Sequence, residues 1–118
     1  MTPDAFHALV LQFAAVRAKP VLDSIQFQIA ARTFVTLGWP AVGWAVIKLS
    51  ETDQRRALKL DPAFRAEAGP RGRRGVTLVS LETVREDHLA EVLACGWRKA
   101  SRAQKGGALA GQDMARSA

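Results

Sequence analysis

The side chains best suited to binding chemistry in this sequence are arginines set among glycines. Residues 69–75 read Gly-Pro-Arg-Gly-Arg-Arg-Gly, a composition typical of a loop, and they include Arg71, Arg73 and Arg74. The arginine fork matches the geometry of a phosphate group, and neighbouring glycines let a backbone approach such a group closely. The pattern predicts a loop that contacts phosphates. The alternative, a solvated loop on a basic protein, stays open.

A second basic group lies in the last helical segment. Arg98, Arg102 and Lys105 follow one another at spacings of four and three, joined by Lys99, and are expected on the helix face opposite the apolar one. Positive charges near the end of a helix also complement its dipole, which is a sufficient structural reason for them. The sequence thus predicts a nucleic-acid-binding site formed by Arg71, Arg73, Arg74, Arg98, Arg102 and Lys105.

The remaining reactive side chains form no motif for catalysis or metal binding. His7 and His88 have no neighbouring ligand at metal-binding spacing, and the single cysteine, Cys95, follows His88 by seven residues, about 10 Å along a helix. Residues 69–75 lack the Lys-Ser/Thr of a phosphate-binding P-loop and lead into a strand pattern. We therefore expect neither an enzyme nor a metal or cofactor.

Tryptophan is the other residue type that can contact nucleic acid, because bases stack on its ring. Trp97 falls on the predicted core face of the last helix, and Trp44 falls in a predicted strand. Trp39 stands between Gly38 and Pro40 at the end of a strand. Trp39 is expected to cover the edge of the core, and contact with a base or a pocket ligand is the alternative.

The overall composition and length indicate the kind of partner and the domain organisation of the chain. The 118-residue chain carries 17 Lys and Arg against 11 Asp and Glu, a formal net charge of +6 that attracts polyanions. Its length predicts one domain over residues 1–105, followed by a disordered tail over residues 106–118. The N-terminus resembles no secretory signal and no apolar stretch is long enough for a membrane span, so we expect a cytoplasmic monomer that does not bind membranes.

The elements that must position the candidate residues follow from periodicity. Thr2-Pro3 starts a helix whose apolar stripe runs through Val16 and which closes at Pro20. Alternation then predicts three strands, over residues 24–29, 33–37 and 43–49. A capping box at Ser50 predicts a helix to Leu60, followed by a turn over residues 62–67, the loop, a strand over residues 76–81 and a long final helix. The order α-β-β-β-α-β-α predicts an α+β fold, an antiparallel sheet with helices packed on one face.

That order and several stretches of sequence resemble the MmcQ/YjbR family of small bacterial proteins. The likeness covers about residues 6–101, and its matching stretches are residues 27–37, 45–50, 61–64, 75–81 and 93–97. The chain departs from the family just before the first predicted strand, where relatives carry His or Gly and Leu22-Asp23-Ser24 stands here.

The resemblance implies a fold similar to frataxin-like and secretion-chaperone-like domains, and it implies DNA binding. Double-stranded DNA is therefore the expected partner, with a protein-interaction or chaperone-like module as the alternative. Iron handling, which the frataxin-like fold suggests, is not expected, because the first helix offers only Asp4 as an acidic ligand.

Overall fold

The computed structural model describes the backbone of residues 1–117 and the side chains of residues 1–103. Lys105 and the tail predicted over residues 106–118 lie outside the described side chains, so both stay predictions. In chain order the elements are α1 (Pro3–Leu11), β1 (Val16–Val21), β2 (Ser24–Ile29), β3 (Arg32–Leu37), β4 (Trp44–Lys48), α2 (Glu51–Leu60), β5 (Phe64–Ala66), α3 (Pro70–Arg73), β6 (Val76–Ser80) and α4 (Glu86–Ser117).

The starts of α1 and α2 are confirmed where the sequence predicts them. The Thr2 hydroxyl accepts a hydrogen bond from the Ala5 amide at 3.1 Å, and the Ser50 hydroxyl accepts one from the Asp53 amide at 3.1 Å. Each hydroxyl thereby satisfies an amide that has no partner within its helix. Local signals therefore determine both helix starts.

Strand β1 is the first departure from the predicted order. The prediction of a helix that runs through Val16 and closes at Pro20 is wrong, because α1 ends at Leu11 and the chain turns at Ala15 with a φ of 65°. Val16–Val21 instead pairs with β2 at the edge of the sheet. Pro20 is tolerated there because an edge strand has backbone positions that need no ladder hydrogen bond.

Two short elements near the predicted loop are further corrections. The turn predicted over residues 62–67 is wrong, because Phe64–Ala66 forms β5 and pairs with β6. Within the predicted loop, Pro70–Arg73 forms the short helix α3. Three or four residues are too few to show a period, so tertiary pairing decides these elements.

All six strands form one antiparallel sheet in the order β1-β2-β3-β4-β6-β5. The fold is α+β with four helices, and its order α-β-β-β-β-α-β-α-β-α replaces the shorter predicted one. No helix in the part of the chain that the structure describes is long and apolar enough to cross a membrane.

One face of the sheet holds the core. Phe27, Val35 and Ile47 are register partners on adjacent strands and are at most 1% exposed. Phe6 of α1 packs edge-on against Phe27, with ring centroids 6.2 Å apart. A Cβ on Gly96 of α4 would lie 3.0 Å from the Ile47 side chain, so that helix packs directly on the same face. Helices α1 and α4 therefore cover this face.

Candidate nucleic-acid interface

The opposite face of the sheet, here called the open face, presents polar and basic side chains. Successive side chains of a strand point to opposite faces, and register partners share a face. One row of partners crosses all six strands on the open face: Lys19, Gln26, Thr36, Val46, Leu78 and Arg65.

Every charged residue in the strands is basic. They contain five cationic residues and no Asp or Glu, since every acidic residue of the chain falls in a helix, a turn or a loop. Charges of one sign on a sheet produce a positive potential that attracts polyanions. The cationic strand residues are Arg17, Lys19, Arg32, Lys48 and Arg65.

Four positive side chains lie near one end of the sheet, and we call them the Lys48 cluster. Lys48 and Arg71 are on the open face, and Arg32 of β3 and Lys99 of α4 lie beside Lys48 at the end of the sheet. Burial lowers the pKa of Lys48 from its ordinary value, and the positive charges of Arg71, Lys99 and Arg32 lower it further. Among the described side chains, Glu67 is the acid within 4 Å of a cluster member, 3.4 Å from Arg71 Nε. The cluster is therefore a concentration of positive charge that an anion would stabilise.

The Lys48 cluster borders a cavity of about 320 Å³ on the open face, which we call the trough. Lys48 and Arg71 contribute its charges, Trp39 contributes an aromatic ring, and polar side chains of β2 and β3 contribute most of the rest. A smaller cavity of about 80 Å³ adjoins it at Lys48 and is bordered by Arg32 and Lys99. The remaining residues that line the trough are Ser24, Gln26, Thr33, Phe34, Thr36 and Val46.

Some of the amide and hydroxyl groups at the trough form hydrogen bonds with one another. Gln26 Oε1 accepts hydrogen bonds from Thr33 Oγ1 at 3.2 Å and from Gln28 Nε2 at 3.4 Å, and Gln28 Nε2 also lies 3.1 Å from Thr33 Oγ1. These contacts use the oxygen of Gln26. Within the described side chains its amide nitrogen makes no hydrogen bond, so it can donate to a ligand.

The three tryptophans occupy different environments. Trp97 is half-buried away from the open face, where its indole nitrogen donates to the Ala14 carbonyl at 2.9 Å. The ring of Trp44 is already covered by Arg65, whose guanidinium carbon lies 4.6 Å from the ring centroid. Trp39, by contrast, is 53% exposed and lines the trough. Of the three, Trp39 is the ring best placed to contact a ligand.

The structure assigns the glycines of the basic segment to packing within the chain. A Cβ on Gly72 would collide with the Glu67 carbonyl, and one on Gly75, which has a φ of 115°, would collide with the Leu49 carbonyl. The amides of Arg73, Arg74 and Gly75 already donate to backbone carbonyls of the same segment. The expected close approach of this backbone to a phosphate is therefore replaced by close approach to the protein itself.

A buried glutamine anchors α3 and, with it, Arg71. Gln54 of α2 is 7% exposed, and its amide nitrogen donates to the Gly72 carbonyl at 2.9 Å and to the Val76 carbonyl at 3.1 Å. Arg71 is thereby held beside the trough, while Arg73 and Arg74 are exposed at the end of α3. Of the three predicted loop arginines, only Arg71 lines the trough.

The basic face predicted for α4 does not lie at the trough. Arg98 lines a groove between α2 and α4 that also contains the acidic residues Asp53 and Glu91. Arg102 Nε donates to the Arg98 carbonyl at 3.4 Å, so it belongs to the same part of the helix. The structure brings neither residue to the trough. Their neighbour Lys99, which points toward Lys48, joins the cluster instead.

A buried carboxylate, Asp61, lies at the junction of α2 and α4, directly after the residue where the sequence predicts the helix to end, and no site predicted from the sequence includes it. Asp61 is 4% exposed, and its carboxylate accepts hydrogen bonds from the Ala63 amide at 2.9 Å, the Arg85 amide at 3.1 Å and His88 Nδ1 at 2.9 Å. We call this group the Asp61 junction. An Asp directly after a helix, followed by Pro, is a weak sequence signal for such a carboxylate-centred turn.

The Asp61 junction is electrostatically balanced. Burial raises the pKa of Asp61, but the hydrogen bonds from the Ala63 amide, His88 and the Arg85 amide outweigh that effect, so the pKa lies below its ordinary value. Every charge in the junction has a partner inside the protein. Among the described residues no three His, Cys, Asp or Glu side chains converge as metal ligands would.

Comparisons with protein-family models, curated proteins and solved structures give no match for this chain. The resemblance to the MmcQ/YjbR family therefore rests on the sequence stretches given above. The geometry of the open face and the chemistry of its side chains are the basis on which a function can be proposed.

Proposed function

We propose that this protein binds nucleic acid with low sequence specificity, through the open face of its sheet. The single observation that carries the proposal is the Lys48 cluster, in which four cations converge beside a trough. Lysine and arginine contacts to phosphates supply most of the affinity in sequence-independent nucleic-acid binding. Among the described residues that line the trough there is no His, Cys, Asp or Glu, the side chains that most often act as catalytic acids, bases or nucleophiles, and this lining fits a binding role.

Two further observations support nucleic acid over other anions. Positive charge extends across the whole sheet, from Arg17 and Lys19 on β1 to Arg65 on β5, which suits a polyanion better than an isolated phosphate. Trp39 adds an exposed aromatic ring at the trough. The DNA binding that the MmcQ/YjbR resemblance implies also supports nucleic acid as the ligand.

The proposal assigns phosphate contacts to Lys48, Arg71 and Lys99, with Arg32 beside them. It retains Arg71 from the site predicted by sequence and treats Arg73 and Arg74 as flanking charges. Arg98 and Arg102 contribute only through the general field of the protein, since neither lines the trough and acidic residues share the groove of Arg98.

Salt dependence tests the proposal directly. Anisotropy titrations of labelled DNA at several salt concentrations should give an affinity that falls steeply with salt. The variant Lys48→Gln/Lys99→Gln should reduce the slope of log affinity against log salt by about 2, one for each lost phosphate contact.

A control matched in charge is available on α2. The variant Arg55→Gln/Lys59→Gln removes the same two positive charges from exposed positions outside the trough, so its slope should match that of the unaltered protein. Equal slopes for the two double variants would remove the Lys48 cluster from the binding site. Binding absent at every salt concentration would reject nucleic-acid binding.

A protein-interaction module is the second candidate, favoured by an apolar surface at one end of the sheet. Leu22 is fully exposed and Val42 is 85% exposed, and with Trp39 and Pro40 they border a cavity of about 500 Å³. Exposed apolar groups in such a groove can receive the side chains of a partner segment. A stoichiometric protein that is retained after nuclease treatment by the unaltered chain but lost by Leu22→Ser/Val42→Ser would favour this candidate.

A further inference from the structure

We propose that the nucleic acid on the open face is single-stranded, with a base stacked on Trp39 while the adjoining backbone phosphates contact Lys48 and Arg71. This inference rests on the proposed function and specifies the class of its ligand. Its basis is that one cavity, the trough, brings together an accessible indole ring and two unlike phosphate-binding side chains.

Trp39 is far more exposed than a tryptophan of the core. A tryptophan that only covers the core would lose most of its exposed surface, yet Trp39 remains 53% exposed while the nearby Trp44 is half-buried under Arg65. An exposed indole is a stacking surface for any base, because every base has a flat π-face. Stacking of this kind requires a base that is free of its own neighbours.

The trough is long enough for a short nucleotide segment. The Gly38 amide bonds to the Trp44 carbonyl at 2.8 Å, which places Trp39 beside the start of β4, while Lys48 is the last residue of that strand. Four residues of antiparallel strand span about 14 Å. The trough therefore separates a stacking site from a phosphate site by a distance that a short nucleotide segment can bridge.

Polar side chains lie between the stacking site and the phosphate site. Gln26 and Thr36 occupy the middle of the trough and are register partners, so their side chains lie next to each other. The free amide nitrogen of Gln26 can donate to the acceptors on a base edge. The acceptors on the Watson–Crick edge are free in an unpaired base, whereas in a duplex they are used in pairing.

A duplex fits this site less well for a structural reason. Its bases stay stacked inside the helix, so a duplex would offer only phosphates to the Lys48 cluster and nothing to Trp39. Single strands, by contrast, combine backbone contacts in a positive groove with bases stacked on aromatic rings. The open face has both components, and the duplex expected from the sequence is the competing ligand in the test.

The experiment compares an oligothymidylate of about 12 nucleotides with a hairpin duplex, using the full chain and two variants of one residue. Trp39→Leu removes the ring but keeps an apolar side chain, while Trp39→Phe keeps a stacking surface. We expect the single strand to bind more tightly than the duplex. Trp39→Leu should weaken single-strand binding about 5- to 100-fold and leave duplex binding unchanged, and Trp39→Phe should restore most of the loss.

A spectroscopic readout adds a signal specific to stacking. Binding of the oligothymidylate should quench part of the tryptophan fluorescence of the unaltered chain, and this quenching should disappear in Trp39→Phe although binding persists. Thymidine monophosphate is the third ligand, because a free nucleotide carries the same base and phosphate. Equal affinity for the nucleotide and the oligothymidylate would overturn the assignment to a strand.

The outcomes separate this inference from the proposed function. Tighter binding of the duplex, with Trp39→Leu unaffected and the salt slope still dependent on Lys48 and Lys99, would overturn single-strand binding and leave nucleic-acid binding in place. Failure of both DNA forms to bind would overturn both. Loss of single-strand binding in Trp39→Leu without rescue in Trp39→Phe would exclude stacking as the role of Trp39.

Discussion

The Lys48 cluster and the Asp61 junction are two places where ionisable side chains gather, and they are built in opposite ways. In the Asp61 junction a buried carboxylate receives three hydrogen bonds, from two backbone amides and His88. In the Lys48 cluster four like charges share one end of the sheet, and Glu67 contacts only Arg71. The charges of the Asp61 junction are balanced without a ligand, whereas those of the Lys48 cluster are not.

This contrast separates a structural role from a binding role. Groups whose charges are satisfied inside the protein contribute to its stability, whereas like charges held close together lower stability unless an anion joins them. A change in the Asp61 junction should therefore alter folding and spare binding. A change in the Lys48 cluster should alter binding and spare folding.

The largest effect is expected for Asp61→Ala. The substitution leaves the Ala63 and Arg85 amides and His88 without their acceptor in a buried place, which should lower the free energy of unfolding by about 2–4 kcal/mol. Chemical denaturation measures this loss. The salt slope of DNA binding by the folded variant should stay unchanged, and a reduced slope would show that the two regions are not separate.

Gln54→Ala should affect both regions, because Gln54 connects α2 to the segment that carries Arg71. The substitution removes two buried hydrogen bonds, although the Gly72 and Val76 carbonyls each keep a backbone donor, and it should cost about 1–3 kcal/mol of unfolding free energy. DNA affinity should fall as well, as Arg71 loses its fixed position. Full affinity in a destabilised Gln54→Ala variant would mean that Arg71 needs no such anchoring.

A smaller effect is expected from pH. The pKa of Asp61 is depressed in the folded protein, so its contribution to stability is present above the ordinary value of about 3.9 and is lost as pH falls through the lower folded value. Asp61→Asn lacks this contribution at every pH. The gap in unfolding free energy between the two proteins should narrow as pH falls below about 4. A gap independent of pH would contradict the depressed pKa.

The smallest effect is expected for Arg98→Gln/Arg102→Gln. Both side chains are exposed, and substitutions at such positions change stability by less than about 0.5 kcal/mol. Because these residues lie outside the trough, the DNA salt slope should change by much less than in Lys48→Gln/Lys99→Gln. Equal changes in the two double variants would restore the α4 face as part of the binding site.

Local signals in the sequence determine a large part of this molecule. Thr2 and Ser50 specify two helix starts because a capping hydroxyl acts within three residues. Strand β2 follows from alternation, with Phe27 and Ile29 buried as predicted. The net positive charge and the expectation of an anionic partner also follow from composition alone.

Other features are decided only by tertiary structure. Strands β1 and β5 form because an adjacent strand completes their hydrogen bonds. Residues 16–19 alternate apolar and basic, but Val16 also continues the helical apolar stripe of α1, and residues 64–66 are too few to show a period. Lys99 rather than Arg98 meets Lys48 because the packing of Gly96 against Ile47 sets the rotation of α4 on the sheet. Sequence spacing ranks basic residues by their position along one helix, but a binding site forms between elements, and only their packing determines which charges meet.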